Sequence, residues 1–443
     1  MTSKAILGTI QRMDNNSKLS TQPYKGVRDF YPKDMSVLQQ IFNVMRKSVE
    51  KFGYLEYNAS PIEPSSIYQA KSGDEIANEQ TYNFLDKAER NISLRPEMTP
   101  TIARMIAGRD QKISLPIRWY SIPNVFRYEN PQRGRLREHY QLNVDIFGGE
   151  PEIANAEILM VVHEIMTGFG ASTTDFAIKI NDRTILADIY KKFEVPKEKI
   201  KDVSRLLDKK EKVSKTIFDE ALESLVGSEI SKPLAEILSS PEFIIETLGI
   251  DNPGIKNVIG LIEKLENYGV TNLIFEPTLV RGFDYYNSFV FEVFDTDSEN
   301  RRSLFGGGRY DSLTGLFSNE EIPAVGFGMG DVVLQDFLKT HNILPESLTP
   351  ADLSIISVDQ NSYDDVYLVA RKIREFGLNV DIDISNKKVG AQIKRSVSNS
   401  IPFALFIGEE EIRNKKYNLK DLRTQEEKQL NLEEIVEVVK NSK

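Results

Sequence analysis

Residues 139–147, HYQLNVDIF, alternate without a break: Tyr140, Leu142, Val144 and Ile146 fall on one face, His139, Gln141, Asn143 and Asp145 on the other. An extended strand gives this two-residue period. Its apolar face calls for a core. If the strand lies inside a sheet, the four polar side chains need partners, because a buried polar group left unpaired costs about 1–3 kcal/mol. A bound polar molecule would supply them.

The run FRYENPQRGRLRE leads into this strand and carries Arg127, Arg133, Arg135 and Arg137. Upstream, IRWYSIPNVFRYE is also strand-like, so the two runs read as antiparallel neighbours joined by an arginine-rich loop. A guanidinium fork matches phosphate oxygens in pairs, and Arg127, Arg135 and Arg137 stand close to the polar strand. Two readings stay open at this point: the wall of a site for a phosphate-rich ligand, or a solvated surface hairpin.

Composition closes several routes. The 443 residues include no cysteine, which excludes disulfides, thiolate metal sites and cysteine nucleophiles. His139, His163 and His341 are too scattered for a histidine metal cluster, so no metal site is expected. No apolar run approaches the roughly 20 residues of a membrane span, and the N-terminus lacks an apolar signal region. A soluble cytoplasmic protein is expected. The net charge of −10 argues against non-specific coating of nucleic acid, while leaving room for a local basic patch.

The length favours two or three domains. Residues 1–23 read as a flexible leader. Leu38, Ile41, Phe42, Met45, Val49 and Phe52 recur at helical spacing, with Asp34 expected as N-cap and Gly53 just past the end. YLEYNASPIEP is a short strand interrupted by Pro61 and Pro64. In LRPEMTPTIARMIAG, Thr99 and Pro100 are expected as N-cap and first helical residue, which leaves Glu97 in the loop before the helix. Residues of about 190–272 turn lysine- and glutamate-rich and read as a helical insertion. NLIFEP and SFVFEVFD resume strands. From residue 351, LSIISV, VYLVARKIREFG, LNVDIDI, VGAQIKRSV and PFALFIG alternate strand and helix periods, the pattern of a small α/β domain at residues 351–443. The basic runs ARKIREF and KKVGAQIKRS there suit either an RNA-facing surface or a solvated helix face.

A second arginine stands in TLVRGFDYYNS: Arg281 precedes Gly282, with the hydroxyls of Tyr285 and Tyr286 nearby. A ligand contact and a core salt bridge both fit. GGGRY and GFGMGD match neither the P-loop nor G-x-G-x-x-G, which excludes the two commonest nucleotide folds. Their glycines let strands pack closely or let a ligand lie on backbone. Tyr310 follows the first cluster.

Taken in order, KGVRDFYP, LRPEMTP, FRYENPQRGR, LVRGFDYY and GGGRYD form a set that resembles the histidyl-tRNA synthetase family of class II aminoacyl-tRNA synthetases, over nearly the whole chain. The resemblance implies an α+β protein: a class II antiparallel-sheet catalytic domain at residues 24–345 with its helical insertion, a C-terminal α/β anticodon-binding domain, and a homodimer with the segment ending at Pro61 at its interface. It assigns Arg127 to the ATP α-phosphate, with Glu129 and Arg135 also on ATP. Glu97 and Thr99 go to the amino group of histidine, Gln141 to the substrate, and Asp145 with Tyr286 to the imidazole, a pocket closed by Tyr310. Arg281 becomes the catalytic arginine between carboxylate and α-phosphate. The implied partners are L-histidine, ATP with Mg²⁺, and tRNA(His), with no membrane. Where the family's third motif ends in an arginine on adenine, this chain has Val333. The same catalytic fold also serves a histidine-sensing regulatory subunit of ATP phosphoribosyltransferase, which lacks a counterpart of residues 351–443.

Overall fold

The computed structural model describes residues 18–442 except 70–79, 111, 208, 211–212, 282–284, 299, 301 and 360–362. Most of the expected leader and Gly282 thus lie outside the described residues. Two compact units emerge, Met1–Asp29 with Ile41–Leu344, and Phe30–Gln40 with Pro345–Lys443.

The first helix, α1 (Pro32–Glu50), buries Ile41, Phe42, Met45 and Val49 as their spacing requires. Asp34 is a first-turn residue rather than the cap, because Pro32 begins the helix two residues earlier and its ring suits that position. Gly53 adopts φ +79°, the left-handed turn that lets the chain leave. Short strands follow: β1 (Leu55–Glu56), β2 (Ile62–Pro64), then, after α2 (Ser66–Gln69), β3 (Asn83–Leu85) and β4 (Asn91–Leu94). β2, β4 and β3 form a small antiparallel sheet.

Beyond α3 (Thr99–Ala107) come β5 (Ile117–Ser121), β6 (Asn124–Phe126) and β7 (Glu138–Phe147), then α4 (Pro151–Gly168) and β8 (Phe176–Asp182). The helical stretch holds α5 (Arg183–Lys192), α6 (Ile200–Leu207), α7 (Lys215–Val226), α8 (Ser228–Ile237), α9 (Pro241–Leu248) and α10 (Pro253–Asn267). Serines cap two of them: Ser214 accepts from the Ile217 amide and Ser240 from the Phe243 amide. Then β9 (Leu273–Phe275), β10 (Phe289–Asp295), β11 (Ser303–Arg309) and β12 (Ala324–Gly330) lead into α11 (Asp331–Thr340).

Among the described residues the main sheet runs β1-β5-β7-β12-β11-β10-β8-β9, with β6 also paired to β7. Its central pairings are antiparallel, and only the edge pairs β1–β5 and β8–β9 are parallel. The expected hairpin logic holds, since β5 and β6 both pair antiparallel with β7. One face is covered by helices: α4 lies against β12, α11 against β7, β11 and β12, and α10 against β8. Leu142, Val144 and Ile146 are buried, as the alternation demanded.

In the second unit, β13 (Leu353–Ser357), α12 (Tyr363–Glu375), β14 (Val380–Ile382), α13 (Val389–Ser398) and β15 (Phe403–Ile407) are followed by α14 (Glu409–Asn414), β16 (Tyr417–Asp421), β17 (Glu427–Leu430) and α15 (Leu432–Asn441). The sheet order is β14-β13-β15-β16-β17, parallel in its first three strands and antiparallel beyond. Leu353, Ile355, Phe403, Leu405, Val366, Ile373 and Ile435 share its core. Arg395, in one of the basic runs, is paired with Asp381.

Candidate active site

On the open face of the main sheet, the register sets Gly326 opposite Asp145, Gly328 opposite Asn143 and Gly330 opposite Gln141. On the next strand Gly306 and Gly308 stand opposite Gly328 and Gly326. The polar face of β7 therefore adjoins a floor of bare backbone. Close approach explains these glycines: a Cβ on Gly326 would lie 2.2 Å from Asp145 Oδ1, and one on Gly328 2.8 Å from Gln141 Nε2. A Cβ on Gly306 would meet the Phe291 carbonyl at 2.4 Å and Arg281 Nη1 at 2.8 Å.

Above this floor opens a cavity of about 230 Å³. Eight of the ten sequence-derived site residues line it: Glu97, Thr99, Arg127, Glu129, Arg135, Gln141, Arg281 and Tyr286. Arg127 follows β6, and its Nε donates to the Pro96 carbonyl at 2.9 Å, which fixes the guanidinium beside the loop that carries Glu97. Arg281 arrives from a segment 154 residues later (281 − 127), and Glu292 of β10 accepts from its Nη1. Burial works against that positive charge, but Glu292 outweighs it and raises the arginine above its ordinary value. The guanidinium is permanently charged.

The remaining two residues lie deeper. Asp145 is buried and accepts a hydrogen bond from the Tyr310 hydroxyl. Burial pushes its carboxyl up to about 7, opposed by that bond. Burial and the facing Asp145 likewise keep Tyr310 protonated, so it remains a donor. The tyrosine rings continue as a stack of edges: Tyr285 lies 4.8 Å from Tyr286 and 5.9 Å from Tyr310, by centroid. Tyr285 also donates to Glu97 at 2.8 Å and sits 3.5 Å from Thr99 Oγ1. Behind them, Ile102, Ile106, Phe147 and Val290 complete a buried cluster.

Two expectations need correction. Thr99 begins α3 rather than capping it; Met98 takes the cap position in a helical conformation without a side-chain cap bond. Arg137 does not line the cavity. Its Nε donates to the Glu129 carbonyl, its Nη1 to the Tyr24 hydroxyl at 2.8 Å, and its guanidinium lies 4.2 Å over the Tyr128 ring. It braces the loop. The N-terminal segment adds to that brace: the Arg137 amide donates to the Gly26 carbonyl, and Arg28 pairs at 2.9 Å with Asp331, which also accepts from the Tyr140 amide.

Sequence reasoning passed over Glu292 and assigned no specific role to Asn143 or His139. Glu292 gave no signal, because its role depends on a strand pairing. Asn143 and His139 were visible in the alternation, and both line the cavity. Burial, then the charges of Arg127 and Arg28, push His139 down to about 3, so its imidazole stays neutral. Glu129 and Glu97 are carboxylates on the cavity wall, and no cluster of three or more metal-ligating side chains occurs among the described residues.

The family model described as histidyl-tRNA synthetase matches residues 26–330, and an anticodon-binding-domain model matches residues 352–442. A histidine–tRNA ligase from Leptospira biflexa is 40% identical over 432 residues, covering 96% of this chain and 98% of that protein. One from Haloarcula marismortui is 36% identical, covering 90% and 93%. Among solved structures, histidyl-tRNA synthetase from a Nostoc species superposes with a TM-score of 0.81 at 22% identity, covering 96% of this chain and all of that one, which speaks to the fold.

Proposed function

Because the chain belongs to the histidyl-tRNA synthetase family, it is an ATP-dependent histidine–tRNA ligase, and we propose that Arg127 and Arg281 grip one α-phosphate from two sides while the histidine carboxylate attacks it. The convergence of two guanidiniums from distant segments on one cavity carries this reading. The nucleophile is already ionised at neutral pH, so no general base is needed. Rate comes from positioning and from fixed positive charge facing the charge that develops at phosphorus. Histidyl-adenylate forms and pyrophosphate leaves. The terminal adenosine hydroxyl of tRNA(His) then attacks the carbonyl and releases AMP.

Asp145 and Tyr286 read the imidazole, Tyr310 closes the pocket, Gln141 contacts the substrate, Glu97 and Thr99 receive the amino group, and Glu129 and Arg135 meet the nucleotide. An apolar amino acid would offer Asp145 no partner beyond Tyr310, and discrimination of about 10⁴ is within reach of a site that hydrogen-bonds its substrate. Glu129 suits Mg²⁺, which commonly takes one or two carboxylates beside substrate phosphates. Bound there, the ion would offset phosphate charge. Residues 24–345 act as the catalytic domain and residues 351–443 as the anticodon-binding domain of a cytoplasmic homodimer. The regulatory-subunit alternative is disfavoured by the full-length match to ligases.

Histidine-dependent exchange of pyrophosphate into ATP tests the reading. Purified protein should catalyse it and then charge tRNA(His). A folded protein inert at saturating histidine would instead be a sensor.

A further inference from the structure

Arg95 follows β4 and is almost wholly enclosed, 4% exposed. Burial disfavours its charge and pulls it below the ordinary arginine value, so the position carries a cost that an apolar side chain would avoid. Its hydrogen-bond partners are neutral oxygens. Nε donates to the Asn124 carbonyl at 2.8 Å, Nη1 to the Ala59 carbonyl at 2.7 Å and Nη2 to Asn124 Oδ1 at 3.2 Å. The backbone repeats the pattern: the Arg95 amide donates to the Pro61 carbonyl at 2.9 Å, and the Phe126 amide donates to the Arg95 carbonyl at 2.9 Å. One residue thus joins the segment entering β2, the loop before α3 and strand β6. Its neighbours face the cavity. The Pro96 carbonyl accepts from Arg127 Nε at 2.9 Å, and Glu97 accepts from the Tyr285 hydroxyl at 2.8 Å. Arg127 is therefore held twice, by its side chain on Pro96 and, through the amide of the residue before it, on Arg95.

We infer that Arg95 is a positioning residue for Arg127: its buried fork fixes the loop 95–97 against β6, and the Pro96 carbonyl then aims the Arg127 guanidinium into the cavity. The fork suits this task because its donors lie in one plane and reach acceptors on two segments at once. Lysine would keep the charge and lose the plane. Glu97 has a second support in Tyr285, so the effect falls on the phosphate side rather than on histidine. This inference rests on the adenylate-forming reading for the role of Arg127.

The test is a double-mutant cycle on the full-length protein. Arg95→Lys should lower kcat for pyrophosphate exchange about 10- to 100-fold, the order that a displacement of about 1 Å costs, with KM for histidine within about twofold of the parent. In an Arg127→Ala background the same change should cost less than about threefold more, because the group it aims is gone. A side chain that merely holds the fold together would cost the same in both backgrounds. Asn124→Ala removes one acceptor of the fork and should lower kcat about 3- to 10-fold, again only while Arg127 is present, so a folding failure of Arg95→Lys leaves the idea exposed to this second variant. Unchanged kcat in the folded variants, additive losses in either cycle, or a rise in KM for histidine that matches the fall in kcat overturns it. ATP affinity by calorimetry keeps this apart from the proposed function: Arg95→Lys should weaken ATP about 3- to 10-fold in the parent and leave it unchanged in the Arg127→Ala background. A parent protein that binds ATP but catalyses no exchange would sink the proposed function, and that calorimetric coupling would still decide the role of Arg95.

Discussion

Asp145 shows how one side chain can oppose fold and function. Its folded value near 7 lies above the ordinary carboxylate range, so the native state holds the proton more tightly than the unfolded chain. Its stability contribution is therefore present at low pH and lost as pH rises from about 4 through 7. By pH 8 the ionised, buried carboxylate carries a cost of up to about 4 kcal/mol. Asp145→Asn should melt above the parent at pH 8, with the gap closing toward pH 4 in thermal scans. The same variant should bind histidine about 10- to 100-fold more weakly by calorimetry. Arg281 presents the complementary case. Arg281→Ala should slow exchange by on the order of 10²–10³-fold, and it strands Glu292, whose side chain is 17% exposed. A buried charge stripped of its partner costs about 3–5 kcal/mol, less where water reaches it. Adding Glu292→Gln should restore melting temperature without restoring exchange. Recovery of exchange in the double variant would remove Arg281 from the chemistry.

At the scale of elements, β11 and β12 matter for what they lack. Gly326→Ala sets a methyl against the Val144 carbonyl at 2.6 Å as well as Asp145, and backbone cannot yield as a side chain can. Gly328→Ala meets the amide end of Gln141, which can swing away. The first substitution should abolish histidine binding and lower the melting temperature; the second should cost about tenfold or less in affinity. Equal losses would mean the floor is not set by close approach. This floor also marks where the sequence stopped being legible. The alternation of β7 announced its own two faces, because strand periodicity is local. That the glycines belonged beside those polar residues depended on a pairing between segments nearly two hundred residues apart, which no periodicity encodes. Motif likeness, rather than spacing, connected Arg127 with Arg281. The offset at Thr99 has a local cause: a Thr-Pro pair suits either the cap or the first turn, and the preceding backbone decides.

On the scale of the molecule, the second unit has its own sheet and core. A chain ending at Pro350 should keep exchange within about tenfold of the parent while charging of tRNA(His) falls by about 10² or more, since the first half-reaction needs no tRNA. Equal losses would make that unit chiefly structural. The short strand–helix alternation made its α/β character readable beforehand, whereas the β16–β17 hairpin and α15 were missed because their charged residues, EKQ and LEEIVEVVK, mute the alternation. One pairing reaches across most of the first unit: Arg28 meets Asp331, 303 positions apart. During synthesis, then, the Arg28 anchor of the N-terminal segment cannot form until about three quarters of the message has been translated. Fragments released by an earlier stop would carry every guanidinium on β6 and its loop yet lack the anchor that Asp331 gives Arg28, and so would make poor competitors for cellular nucleotide.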